Sequence, residues 1–266
     1  MSPVQLDSAT VLLTGATGGL GHAVARELAV HGCDLVLTGR RAEALAALAA
    51  ELDATVIPAD LSEPDELSRL LAQAGPVDVL IANAGLPAGG HILDFAAADL
   101  DRVLDVNLRA PILLARDLAE RMRMRGAGHI VFMGSVAGLL PAPRVSLYNA
   151  TKFGLRGFAL ALRHDLRDAE IGVSIIEPGF VRDAGMFADS GSRLPPGMRT
   201  VTPEQVARAV IRAVQEDIDE IVVAPIETRI LATVGCIAPG LVAPIHRLID
   251  SERLGNDLGS RLHHKA

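Results

Sequence analysis

Tyr148 and Lys152 stand four residues apart in YNATK, a stretch that reads as helix, in a chain of 266 residues with one tyrosine and no tryptophan. At that spacing two side chains share a helix face, one turn apart. A free phenol ionises near pH ~10, too high for efficient proton exchange at neutral pH. A cation beside it favours the phenolate. A chain so poor in aromatic residues that keeps its one phenol beside an ammonium has a pair able to move a proton.

A second chemical feature is the glycine-rich turn TGATGGLG, Thr14 to Gly21. It joins an apolar run to a segment of helical period, the setting in which glycines let a backbone approach a pyrophosphate held by helix N-terminal N–H groups. Gly15, Gly19 and Gly21 fit a TGxxxGxG spelling; Gly15, Gly18 and Gly21 fit TGxxGxxG. The next apolar run ends LTGRR. An acid there would bond ribose hydroxyls and repel a 2′-phosphate, but the chain has Gly39, Arg40 and Arg41 instead. Guanidinium groups take phosphate bidentately, which favours NADP(H) over NAD(H). Two cations at a helix start also oppose the macrodipole, so a purely structural role is the less natural one.

The elements that must hold these groups alternate regularly. Expected strands are Thr10 to Gly15, Asp34 to Gly39, Ala54 to Ala59, Val77 to Asn83, His129 to Ser135, Gly172 to Pro178 and Glu220 to Ala224, with helical segments between them. Near-continuous apolar strands separated by helices imply a parallel sheet covered on both faces. The expected fold is α/β: one Rossmann-type doubly wound domain over residues 1–266 with a mainly parallel sheet of about seven strands. No linker or repeat divides the chain. The Gly-, Pro- and Ser-rich stretch 182–200 follows the sixth strand and reads as a lid over a substrate crevice. Residues 224–266 form a C-terminal extension.

Composition excludes other classes. Half the residues are hydrophobic and the net charge is −7, so a large core is available and no basic stripe exists for nucleic acid. Cys33 and Cys236 make neither a disulfide framework nor a metal pattern, which suits a reducing cytoplasm. The eight histidines form no ligand motif, and no metal is expected. The start, MSPVQLDSAT, lacks the basic and apolar regions of a signal peptide. The longest uncharged run, Ile230 to Ile245, is too short for a spanning helix and contains Pro239 and Pro244.

Taken together, TGATGGLG, ADL (59–61), ANAG (82–85), Asn107 in DVN, GSVAG (134–138), YNATK and PG (178–179) resemble the short-chain dehydrogenase/reductase family in its shorter, single-domain branch. That branch spells its turn TGxxxGxG. The resemblance implies hydride transfer between a nicotinamide cofactor and a carbonyl or alcohol. Tyr148 would be the acid/base, Lys152 the group that lowers its pKa and bonds the nicotinamide ribose, and Ser135 the hydrogen-bond partner of the substrate oxygen. Asn107 would hold a water in a proton relay. Gly15, Thr17, Gly19, Leu20, Gly21, Arg40, Arg41, Asp60, Leu61, Asn83, Gly85, Pro178 and Val181 would line the cofactor, Asp60 meeting the adenine. One departure stands out: the family's threonine four positions past the glycine of PG is Asp183 here, which weakens the expected grip on the carboxamide.

The resemblance also implies a homodimer or homotetramer paired through helices near residues 107–125 and 148–168. The substrate is a small molecule, expected to be an apolar carbonyl (acyl, steroid-like or otherwise bulky), because the apolar tail would pack over the crevice or a neighbouring subunit. Membrane-surface contact by that tail is the weaker alternative. Two other readings remain open, an NAD-linked dehydrogenase and a catalytically silent cofactor sensor; an intact Ser135, Tyr148 and Lys152 set argues against the second.

Overall fold

The structure, a computed structural model, describes residues 4–191, 194, 198–238, 240 and 241. All seven expected strands form. They are β1 (Thr10–Thr14), β2 (Asp34–Thr38), β3 (Thr55–Val56), β4 (Val79–Ala82), β5 (Gly128–Met133), β6 (Ile171–Pro178) and β7 (Glu220–Val223). They join in one parallel sheet of order β3-β2-β1-β4-β5-β6-β7. The chain runs outward from β1 to β3 and then restarts at β4 on the other side. The C-terminal ends of β1 and β4 therefore flank the switch point, where an open α/β sheet carries its ligand crevice.

Successive strand residues feed opposite layers, which is why the strands read as continuous apolar runs. Val11, Leu13, Val131 and Ile176 pack with α1 (Gly19–Val30), α2 (Ala42–Leu52) and α8 (Pro203–Glu216). Leu12, Ile130, Phe132 and Ile175 pack with α3 (Pro64–Gln73), α5 (Ala110–Arg125) and α6 (Ser146–Asp165). Phe132, fully buried, meets Phe158 of α6 edge-on at 5.7 Å between ring centres. Such a pair adds roughly 0.5–1.5 kcal/mol beyond its buried area.

Two elements differ from expectation. β3 is two residues long rather than six, with Pro58 two positions beyond its end. The pairing is carried past it by Ile57 and Ala59, whose N–H groups reach the Leu37 and Gly39 carbonyls at 3.0 and 3.1 Å. The helix expected from Asn107 begins instead with α4 (Ala97–Leu104) and passes through a π turn, Asp105–Arg109, before α5. Pro111 has no N–H for the Asn107 carbonyl, so the regular ladder breaks there. Within the expected lid, Gly185–Ser190 forms a short helix, α7; residues 192, 193 and 195–197 lie outside the described residues. The C-terminal extension contains α9 (Ile226–Ile237), and the rest of its apolar run and the tail from residue 242 lie outside the described residues. No described helix is long and apolar enough to cross a membrane.

Candidate active site

The residues expected to move a proton meet where α6 crosses the ends of β5 and β6. α6 presents Tyr148, Lys152 and Arg156 one turn apart along its face. Asn149 fixes its start against the turn that follows β5. Its Nδ2 donates to the Ala137 and Leu140 carbonyls at 2.6 and 3.1 Å, and its Oδ1 accepts from Ala142 N–H at 3.2 Å. That turn carries Ser135, whose hydroxyl accepts from Ala137 N–H at 3.1 Å and lies close enough to the Tyr148 phenol to favour its ionisation.

Lys152 is 3 % exposed. Its Nζ donates to the Met133 carbonyl at 2.7 Å and lies 5.6 Å from the Tyr148 ring centre. Burial pushes it down to about 8, against the raising effect of Glu177. Tyr148 does not show the lowered pKa expected from its neighbour. Burial pushes it up to about 12; the Ser135 bond opposes that rise and the Glu177 charge adds to it. The reason is the desolvation of both groups: an ammonium that loses its proton near pH 8 carries no charge by the time a phenol titrates.

Asn107, fully buried in the π turn, closes on the β4 loop. Its Nδ2 donates to the Leu86 carbonyl at 2.9 Å and its Oδ1 accepts from Leu86 N–H at 2.6 Å. A methyl group placed on Gly85 would stand 3.6 Å from Asn107 Oδ1 and 3.9 Å from Lys152 Nζ, so the three residues converge.

The glycine turn has the features of an anion cradle. No side chain caps α1, and no acid occupies its first turn. Its N-terminal N–H groups are thus left for a negative ligand, as a pyrophosphate requires. Gly15 has a φ of +66°, and a Cβ there would lie 2.7 Å from Ala84 Cα. Asn83 braces this turn: Nδ2 donates to the Thr14 and Gly15 carbonyls at 2.9 and 3.3 Å, while Thr14 Oγ1 accepts from the Asn83 and Ala84 N–H groups at 3.0 Å each. Leu20 packs half-buried against the core, and a Cβ on Gly21 would crowd Ala16 Cα at 2.9 Å.

Arg40 and Arg41 are both exposed at the end of β2. Arg41 Nη2 donates to the Thr17 carbonyl and so spans the cradle. Arg40 acts on Asp60, as does Arg102, whose Nη2 pairs with Asp60 Oδ2 at 2.9 Å. Burial raises the Asp60 pKa, but two bonds from Ser62 and these cations outweigh it and hold the carboxyl below its usual range. Leu61 is buried beside it. The donor set therefore fits a dinucleotide.

Pro178 is buried at the end of β6. Val181 bridges to Val201, with bonds from Arg182 N–H to Val201 O and from Val201 N–H to Phe180 O, so the Val181 amide is not spent on the bridge. Asp183 turns outward, 72 % exposed and paired with Arg182 at 3.3 Å, with a φ of +68°. Beyond it the loop lies over the cradle: a Cβ on Gly19 would be 2.5 Å from Ala184 Cβ, and one on Gly85 would be 3.5 Å from Met186 Cε. Among the described residues no three His, Cys, Asp or Glu side chains gather as metal ligands.

Reading the motifs missed Glu177, although an acid inside the apolar strand GVSIIEP is itself a signal. It also missed the Arg156–Glu220 pair, 2.6 Å, and the Arg102 contact, which join residues distant in sequence.

Comparison with known proteins agrees with this geometry. The family model for short chain dehydrogenases matches residues 9–194. The ketoacyl reductase HetN of Nostoc is 36 % identical over 256 residues, covering 91 % of this chain and 89 % of the relative. A short-chain dehydrogenase from Sphingobium yanoikuyae, solved with NADPH, superposes with a TM-score of 0.76 at 28 % identity, over 88 % of this chain and 96 % of that one. The 3-ketoacyl-(acyl-carrier-protein) reductase of Brucella melitensis, solved with NADH, gives 0.74 at 26 % identity, over 82 % and 97 %. The chain belongs to the short-chain dehydrogenase family and is an NAD(P)-dependent oxidoreductase.

Proposed function

We propose that this protein reduces the ketone of an apolar acyl or similarly bulky substrate with NADPH, with Tyr148 as proton donor. The observation that carries the reading is the convergence of Tyr148, Lys152, Ser135 and Asn107, with Lys152 Nζ 5.6 Å from the Tyr148 ring centre and the Ser135 hydroxyl acting on the phenol. The α1 N-terminus, the glycines at 15, 19 and 21, Arg40, Arg41, Asp60 and Lys152 would hold the cofactor. A reduced nicotinamide supplies the hydride when bound. Ser135 then holds the substrate oxygen while Tyr148 protonates it, and Lys152, backed by Asn107, restores the proton. The ketone class rests on the likeness to ketoacyl reductases. The one-domain organisation and a homo-oligomer paired through α5 and α6 belong to the same reading; light scattering tests the assembly.

The test is a panel of β-ketoacyl thioesters, bulky cyclic ketones and small polar ketones, followed by nicotinamide absorbance with NADPH and with NADH. Turnover favouring NADPH and the apolar ketones is expected. Tyr148→Phe should lower kcat by about 10²–10⁴-fold with folding and NADPH binding kept. Near-normal turnover in that variant would remove Tyr148 from the mechanism, and a preference for small polar ketones would overturn the substrate class.

A further inference from the structure

Beneath the serine turn lies a carboxylate that the mechanism above does not use. Glu177, on β6, has no exposed surface. Its Oε2 accepts from Ser135 N–H, and its Oε1 has no hydrogen-bond partner among the described residues. The backbone has made room for it. A Cβ on Gly134 would come within 2.6 Å of Glu177 Cδ, and one on Gly138 within 3.5 Å of Oε1. Gly134 thus leaves a slot for this side chain, while at Gly138 the crowding atom is the Lys152 carbonyl at 2.9 Å.

Its surroundings are strongly polar on one side. α6 turns Tyr148, Lys152 and Arg156 toward it, and β7 contributes Glu220, which pairs with Arg156 at 2.6 and 3.0 Å. From β5 comes the Ser135 amide, while the buried face of α8 is wholly apolar. We propose that Glu177 is a positioning residue of the active site: its carboxylate ties down the Ser135 backbone and supplies the negative charge against which Tyr148 and Lys152 work. This inference rests on the reading of Tyr148 as acid/base.

The charge has a defined direction of effect. Burial pushes the Glu177 carboxyl up to about 8, with the Ser135 N–H bond opposing the rise. Above that pH it is an anion inside a low-dielectric layer, where it favours the charged lysine and disfavours the phenolate. Above about pH 8 Glu177 thereby opposes ionisation of Tyr148 and sets the alkaline limit of reduction.

Glu177→Gln separates the two roles, because the amide oxygen still accepts from Ser135 N–H while the charge is gone. As the chain has one tyrosine and no tryptophan, near-ultraviolet phenolate absorbance titrates Tyr148 without background. The Tyr148 midpoint should fall by about 1 pH unit in Glu177→Gln and remain near wild type in Glu177→Asp. The rising limb of alcohol oxidation with NADP⁺ should move to lower pH in parallel. A uniform loss of rate with both the midpoint and the limb unmoved would overturn the proposal. Should the variants not fold by circular dichroism, a wild-type midpoint at or below about 10 would overturn it as well. Activity surviving in Tyr148→Phe would instead sink the reading of Tyr148 itself.

Discussion

Replacing Arg40 by Ala tests how the cofactor's adenosine end is read. Arg40 is exposed, sits at the end of β2 and faces Asp60, while its neighbour Arg41 is anchored to the Thr17 carbonyl. A charge-assisted bond to a 2′-phosphate contributes about 1.5–3 kcal/mol. At about 1.4 kcal/mol per decade, Arg40→Ala should weaken NADPH binding by roughly 10- to 150-fold. NADH has no such phosphate, so its binding should change by less than about 3-fold. Arg41→Ala should behave differently, because it also releases the glycine turn; losses with both cofactors are expected, larger with NADPH. Fluorescence titration of each reduced cofactor at fixed ionic strength measures the four affinities, and added salt should narrow the NADPH advantage in the wild type but not in Arg40→Ala. Equal losses of NADPH and NADH in Arg40→Ala would refute the reasoning and assign the phosphate to Arg41 alone.

Asn83→Ala removes two bonds from the part-buried Thr14 and Gly15 carbonyls, a cost of about 1–3 kcal/mol. Thermal melting should show a Tm lower by about 2–12 °C, and a fixed cofactor concentration should raise it by less than in the wild type; an unchanged Tm would mean the turn holds without the brace. His129, 1 % exposed, is pushed by burial down to about 4, below its unfolded value of 6.5. The neutral ring is the form folding favours, so its contribution is complete above pH 6.5 and is lost as pH falls toward 4, worth about 3 kcal/mol. Urea midpoints at pH 7 and 4.5 should diverge less in His129→Gln, and equal divergence would exclude this histidine as the source.

The sheet was readable because its inner strands are buried on both faces and so write themselves as largely apolar runs. Leu12 and Leu13 face opposite layers yet are equally buried, and nothing polar interrupts them. Where the α4–α5 segment departs from a regular helix, proline is the cause: Pro111 opened the π turn at Asn107 by withholding an N–H that periodicity counts as present. The tyrosine–lysine pair was readable because one helix carries both residues at fixed spacing. Glu177 was not, because its partners come from three elements that meet only in the fold: Ser135 after β5, Lys152 and Arg156 on α6, Glu220 on β7.

The same distinction bears on the Tyr148 phenol. Spacing places a lysine beside a phenol, and in water that neighbour would favour the phenolate. Spacing carries no information about dielectric, and here both side chains are enclosed beside a third, acidic one. Desolvation acts on each member of the pair toward its neutral form and separates their titrations in the wrong order for mutual help. Under the proposed reading the cofactor supplies the missing charge: an oxidised nicotinamide carries a positive charge that would bring the phenol down toward neutral pH, and a reduced one does not.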